Sequence, residues 1–151
     1  MLSQPQGDGL VKSAKKTVLI AEGDRFAMEL ERELLERDFA VEFVDDGLAA
    51  LERARTRRPD LIILEILLSR MDGLQVCRAL KSDPATQDIP ILIFTSLLAR
   101  ERALQAGADA FLRKPLDPDE FLTTVRRLMQ GVSQRDSPPS RNGVVEIERT
   151  V

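Results

Sequence analysis

The side chains able to do chemistry in this chain are acids, hydroxyls and one lysine, and each stands just past a short apolar run. Glu22, Gly23 and Asp24 follow TVLIA (17–21), Asp45 and Asp46 follow VEFV (41–44), and Glu65 follows LIIL (61–64). Thr95 and Ser96 follow ILIF (91–94), and Lys114, with Pro115 behind it, comes shortly after AFL (110–112). None of the 151 residues is histidine. That excludes Ser-His and Cys-His triads, the usual zinc sites, histidine general bases and histidine phosphocarriers. A single cysteine, Cys77, excludes an internal disulfide framework and clustered thiolate sites. With no Trp or Tyr, a base-stacking surface would rest on six Phe, most of them inside apolar runs. The formal net charge of -3 also argues against a nucleic-acid partner.

The elements that must position these residues alternate between apolar runs and helical patterns. Strands are predicted at Thr17–Ala21, Val41–Val44, Leu61–Leu64, Ile91–Phe94 and Ala110–Leu112. After the first, Asp24 is placed to cap a helix whose inward positions read as Phe26, Ala27, Leu30 and Leu34. Asp45 and Asp46 read as caps of a second helix carrying Leu48, Leu51 and Ala54. The loop Met71-Asp72-Gly73 leads to a third helix with Val76, Cys77 and Leu80 inward, which makes Cys77 a core residue. A short fourth helix, about Leu98 to Ala106, stops at Gly107. The fifth opens Asp117-Pro118-Asp119-Glu120, presents Phe121, Leu122, Val125 and Leu128, and ends at Gly131. Strands that are apolar throughout are covered on both faces, so the class is α/β: a doubly wound, five-stranded parallel sheet of the flavodoxin-like kind. In such sheets the functional crevice lies at the carboxyl ends of the strands, where the acids, Thr95 and Lys114 fall. No glycine-rich phosphate loop follows the first strand, which argues against a nucleotide-cofactor enzyme.

The domain is expected at 17–131. Residues 1–16 and the Ser/Pro/Arg-rich 132–151 read as flexible flanks, the latter holding a short strand-like patch at Val144–Ile147. The longest apolar run, Leu61–Leu68, is broken by Glu65 and too short to cross a bilayer. No export signal opens the chain, so a cytoplasmic location and no membrane partner are expected.

The middle of the chain, about residues 17–130, resembles the receiver domain of two-component response regulators. The matching segments are VLIAEGD, PDLIILEILLSRMDG, IPILIFTS and GADAFLRKP, in order and at near-matching spacing. The resemblance implies a chemistry. Two adjacent acids after the first strand hold Mg2+ together with an aspartate ending the third, and that aspartate accepts a phosphoryl group. A Thr or Ser after the fourth strand and a Lys before a proline then bind the phosphoryl oxygens. Thr95, Lys114 and Pro115 match this pattern, and Phe111 falls at the switch aromatic, facing either inward or toward a docking surface.

The acids depart from it. Glu22 stands at the first acidic position, Gly23 at the second, and Asp24 is next in line but engaged as a cap. Glu65 occupies the phosphoacceptor position, and Ser69 replaces the usual proline of the following loop. Glu for Asp carries the carboxylate about 1.5 Å further, and a misplacement of about 1 Å can cost on the order of a hundredfold. Three readings of Glu65 stay open: a solvated strand-end acid, a mimic of the phosphorylated state reaching Lys114, and a phosphoacceptor in its own right. The Glu65–Lys114 pair, if solvent-exposed, is worth only ~0.2–1 kcal/mol.

The expected function is a stand-alone, degenerate receiver (a pseudo-receiver), a phosphorylation-independent interaction module and not an enzyme, with no metal or other cofactor. The alternative is a working single-domain response regulator that takes a phosphoryl group with Mg2+, held by Glu22, Asp24 and Glu65. The stretch from Thr95 to Gly107 is about one helical turn short of the family's spacing. Protein partners are expected on the face of the fourth helix, fifth strand and fifth helix, and a homodimer is possible.

Overall fold

A computed structural model describes residues 14–131, 133 and 134. Five parallel strands, β1 (Lys16–Ala21), β2 (Phe39–Val44), β3 (Leu61–Leu64), β4 (Ile91–Thr95) and β5 (Ala110–Arg113), form one sheet in the order β2-β1-β3-β4-β5. Helices α1 (Arg25–Leu35), α2 (Gly47–Arg57), α3 (Gly73–Ser82), α4 (Arg100–Gln105) and α5 (Pro118–Met129) alternate with them. The strand order reverses between β1 and β3, so the crevice of this topology opens at the ends of those two strands. The doubly wound flavodoxin-like sheet expected from the sequence is the one observed.

Alternation along the strands divides the core in two. Leu19, Ala21, Ile62, Leu64, Ile91, Ile93 and Phe111 pack under α2, α3 and α4. Val18, Ile20, Leu61, Ile63, Leu92, Phe94 and Leu112 pack under α1 and α5. All four β3 residues are buried, and each contributes on the order of 1.5–3 kcal/mol as an upper estimate. Cys77 is core, its Sγ 3.5 Å from the Ala106 carbonyl.

Local chemistry starts and stops the helices. Asp24, Asp46 and Asp117 accept backbone N–H bonds at the starts of α1, α2 and α5. Asp72 forms a reciprocal capping box with Gln75 at α3. The adjacent Gly73 is needed for close approach, because a Cβ there would lie 2.2 Å from the Glu65 carbonyl oxygen. Gly107 and Gly131, both at positive φ, follow α4 and α5.

Four expectations change. The inner stripe of α1 is Ala27, Glu31 and Leu35, whereas Phe26 is 71% exposed and Leu30 and Leu34 are half-buried. The helix is turned by less than one residue's step of about 100°, so that Glu31 and Leu35 are enclosed in place of Phe26, Leu30 and Leu34. On α2 the buried residues are Gly47, Ala50 and Ala54, with Leu48 turned outward and Leu51 half-buried. Helix α4 is shorter still than read, only Arg100–Gln105, and Ala99 gives it no side-chain cap. The folded part also extends past both expected boundaries. Lys16 pairs with Phe39 in β1. Beyond Gly131, Ser133 Oγ and the Gln134 N–H donate to the Asp109 carbonyl, and the Phe111 N–H donates to Gln134 Oε1 at 2.9 Å. These bonds fall on the outer edge of β5, which has no neighbouring strand on that side among the described residues. The remainder of both flanks, including Val144–Ile147, lies outside the described residues.

Candidate functional site

Glu22 and Glu65 end β1 and β3 side by side. The Glu65 N–H donates to the Ala21 carbonyl and the Glu22 N–H to the Val44 carbonyl, so ladder bonds carry both residues one step past their strands. Both residues are almost sealed, at 2% and 6% exposure. Lys114 arrives from the end of β5, its N–H donating to the Thr95 carbonyl. The Lys114–Pro115 peptide bond is cis.

One ammonium serves both acids. Lys114 Nζ lies 2.9 Å from Glu22 Oε1 and 2.9 Å from Glu65 Oε1, and 5.5 Å from the centre of the Phe94 ring. Burial lowers the Lys114 pKa, but hydrogen bonds to Glu65 and Glu22 and their charges outweigh it and hold the group above the ordinary lysine value. Three further donors converge on Glu65 Oε2: the Ile66 N–H at 2.7 Å, the Leu67 N–H at 3.1 Å, and the Thr95 hydroxyl. Thr95 is fully buried. Glu22 Oε2 accepts the Asp24 N–H at 3.1 Å. The Glu65–Lys114 pair is therefore not the exposed pair considered from sequence, since the Lys114 side chain is 18% and the Glu65 side chain 7% exposed.

The other sequence candidates lie around this cluster, not in it. Asp24 is exposed, and its carboxylate accepts the Phe26 N–H as the α1 cap. Gly23 is exposed, and a Cβ built there meets nothing nearer than the Asp45 carbonyl oxygen at 3.9 Å. Asp45 is exposed, while Asp46 caps α2 and bonds Arg70. The Ala49 N–H, and then Arg70, hold the Asp46 carboxyl below its usual range. Ser69 forms an isolated bridge with Asp46, its carbonyl accepting the Gly47 N–H. Ser96 and Pro115 are exposed. Phe111 faces inward, 1% exposed under the α2–α4 layer.

Sequence reasoning missed Glu31. It is fully buried on α1, and neither carboxylate oxygen has a hydrogen-bond partner. Desolvation first, and then the negative charge of Glu22, push its pKa from 4.5 to about 8. The signal available was its place in the Ala27–Glu31–Leu35 stripe, four residues from each neighbour. The Gln134 bond to β5 was also missed, and nothing in a Ser/Pro/Arg composition marks it.

Mg2+, implied by the resemblance, asks for several oxygen ligands in near-octahedral array. Gly23 supplies no carboxylate, Asp24 is spent on the helix cap, and an ammonium already sits between Glu22 and Glu65. Among the described residues, no group of three or more acids, His or Cys is arranged to hold a metal ion. Nor is any described helix long and apolar enough to cross a membrane.

Residues 18–126 match the model of the response regulator receiver domain. The response regulator MprA of Mycobacterium sp. (strain KMS) is 38% identical over 127 residues, covering 82% of this chain and 54% of that protein. The chain thus spans about half the length of the curated relatives it matches. The fold is also that of a putative response regulator from Chloroflexus aurantiacus, with a TM-score of 0.74 and 28% identity over 78% of this chain and 99% of that one. The signal receiver domain of a histidine kinase from Syntrophus aciditrophicus gives a TM-score of 0.71 at 33% identity, covering 83% and 98%. The receiver domain of sensor histidine kinase PA1611 from Pseudomonas aeruginosa gives 0.73 at 26%, covering 78% and 99%, and that structure has a magnesium ion coordinated in its active site cleft. With the sheet order, the strand-end cluster and the family match in agreement, this chain belongs to the response regulator receiver domains of two-component signal transduction.

Proposed function

We propose that this receiver signals without phosphorylation, with Glu65 itself standing where a phosphoryl group would act. The observation that carries the reading is the set of four donors on the Glu65 carboxylate. Thr95 and Lys114, which the family pattern assigns to phosphoryl oxygens, are both already bonded to Glu65. The longer side chain makes this possible, since it spans from β3 to the Thr95 hydroxyl and the Lys114 ammonium together. A carboxylate held by four donors and nearly sealed from solvent is a poor nucleophile. Its lone pairs are engaged, and a phosphodonor would have to displace Thr95 and Lys114 to reach it. The same bonds, together with Gly23, disfavour Mg2+ at this position, and no other cofactor is invoked.

The domain then acts as a binding module and not as a catalyst, presenting one conformation to protein partners in the cytoplasm. Receiver domains interact with kinases and effectors, and the face of α4, β5 and α5 is the surface assigned to partners here, or to a second copy in a homodimer. Its shape is set by the six-residue α4 and by the inward Phe111. Neither nucleic acid nor membrane is invoked.

The test is incubation with Mg2+ and a small acyl-phosphate donor, read by intact mass. The expected result is an unmodified chain. A phosphoryl adduct mapping to Glu65 would replace this reading with that of a working single-domain response regulator.

A further inference from the structure

One buried titratable group takes no part in the Glu22–Lys114–Glu65–Thr95 latch. Glu31 has no exposed surface, and both carboxylate oxygens lack partners. A lone carboxylate buried in this way is costly enough that the group keeps its proton. Its carboxyl is pushed up to about 8, first by desolvation, then by the charge of Glu22, with Glu65 and Asp24 acting in the same direction and Lys114 opposing them. Those four charged groups reach it from the ends of β1 and β3, from the α1 cap and from the segment after β5. Among the described residues, the groups that α5 and β2 bury on this side are uncharged. Helix α5 buries Phe121, Thr124, Val125 and Leu128, and β2 packs Phe39, Val41 and Phe43 against the same core.

We propose that Glu31 is a proton-linked regulator of the latch: neutral, it leaves Lys114 to Glu22 and Glu65; ionised, it is a third buried carboxylate drawing on one ammonium, and it loosens Lys114 from Glu65. The step is a plain ionisation. The O–H proton passes to solvent water, its electron pair stays on the carboxylate, and no co-reactant is required. A third enclosed anion competes for the one ammonium that Glu22 and Glu65 share, and the Lys114–Glu65 contact weakens with it. Release of Lys114 removes one of the four donors on Glu65, and the change is felt at the Ile66 and Leu67 N–H groups that still hold the same carboxylate. The inference rests on the latch described above, and it adds a solution variable that sets it.

The experiment uses the whole chain, labelled at the glutamate carboxyl carbons and at the backbone nitrogens, titrated by NMR from neutral to alkaline pH. Wild type is compared with E31Q. The expected result is a Glu31 carboxyl midpoint near pH 8, with the Ile66 and Leu67 amides moving at the same midpoint. In E31Q those amides should stay still across the range. The absence of histidine and tyrosine leaves this window sparsely populated by other titrations. A Glu31 midpoint in the ordinary carboxylate range overturns the proposal, as do amides that ignore its ionisation or move unchanged in E31Q. If E31Q does not fold, the wild-type co-titration decides alone. Phosphoryl uptake at Glu65 would instead sink the latch reading while leaving the Glu31 midpoint intact, so the two failures are distinguishable.

Discussion

Two buried glutamates, Glu31 and Glu65, meet burial in opposite ways. Glu65, at the end of β3, has four donors: two backbone N–H groups, a hydroxyl and an ammonium. Glu31, on the inner face of α1, has none. The comparison shows that enclosure by itself does not set a carboxyl group's chemistry; the supply of donors does. The strand ends supply donors because consecutive backbone groups, Thr95 and Lys114 all converge where the ladder runs out. The inside of a helix supplies none, because its N–H groups are already spent on the helix.

The largest effect is expected from removing the donor that the two strand-end acids share. Lys114→Met leaves Glu22 and Glu65 enclosed without a cation, which should cost about 3–5 kcal/mol of stability in denaturant unfolding at neutral pH. A cost below about 1 kcal/mol would mean that the cluster behaves as a surface pair, and the contrast with Glu31 would collapse.

Rebuilding the acid geometry sharpens the same contrast from the other side. Glu65→Asp shortens the side chain by about 1.5 Å, so it can no longer hold Thr95 and Lys114 together. Gly23→Asp adds a carboxylate where a new Cβ finds only an ordinary contact at 3.9 Å. The double variant should take a phosphoryl group from a small donor with Mg2+ on the order of a hundredfold faster than either single variant, a non-additive gain read by intact mass. A folded double variant that stays unlabelled would show that the lost chemistry lies elsewhere.

Glu31→Leu should act oppositely to Lys114→Met and stabilise the protein at neutral pH, by about 1–3 kcal/mol. Its pH signature follows from linkage. With the native carboxyl near 8 against 4.5 when unfolded, the folded state holds more protons between those values. The favourable contribution is complete below about 4.5 and is lost as pH rises toward about 8, so wild-type stability falls across that window and the variant loses that slope. A wild-type melting temperature that rises over the same window would contradict the assignment.

The smallest effect concerns the far edge of the sheet. Gln134→Ala should cost about 0.5–1.5 kcal/mol, because the Phe111 N–H it frees can still reach water. Deleting everything beyond Gln134 should leave the melting temperature unchanged within a few degrees. A larger drop would show that the tail packs on the domain.

Much of this molecule can be read in its local patterns. The five apolar runs, the capping aspartates Asp24, Asp46 and Asp117, the Met71-Asp72-Gly73 loop and the stop at Gly107 each depend on residues within a turn of one another. The site positions were readable for the same reason, since whatever follows a parallel strand stands at the crevice. Helix rotation was not readable. The expected face of Phe26, Ala27, Leu30 and Leu34 and the observed face of Ala27, Glu31 and Leu35 share Ala27 and are offset by less than one residue's turn of about 100°. The choice between them falls to the fit of α1 against the sheet and α5.

By itself, then, the sequence determined the order and kind of elements, the edge of the sheet where chemistry gathers, and the departure of Gly23 and Glu65 from a phosphate-accepting pattern. Only the tertiary structure decided that Glu65 meets Thr95, 30 residues away, and Lys114, 49 residues away. It also decided that Phe111 faces inward, that Gln134 closes the β5 edge, and that Glu31 is enclosed without a donor. The physical reason is that hydrogen bonding and capping are satisfied within a few residues. The burial and partners of a charge, by contrast, are set by whichever distant groups the fold brings beside it.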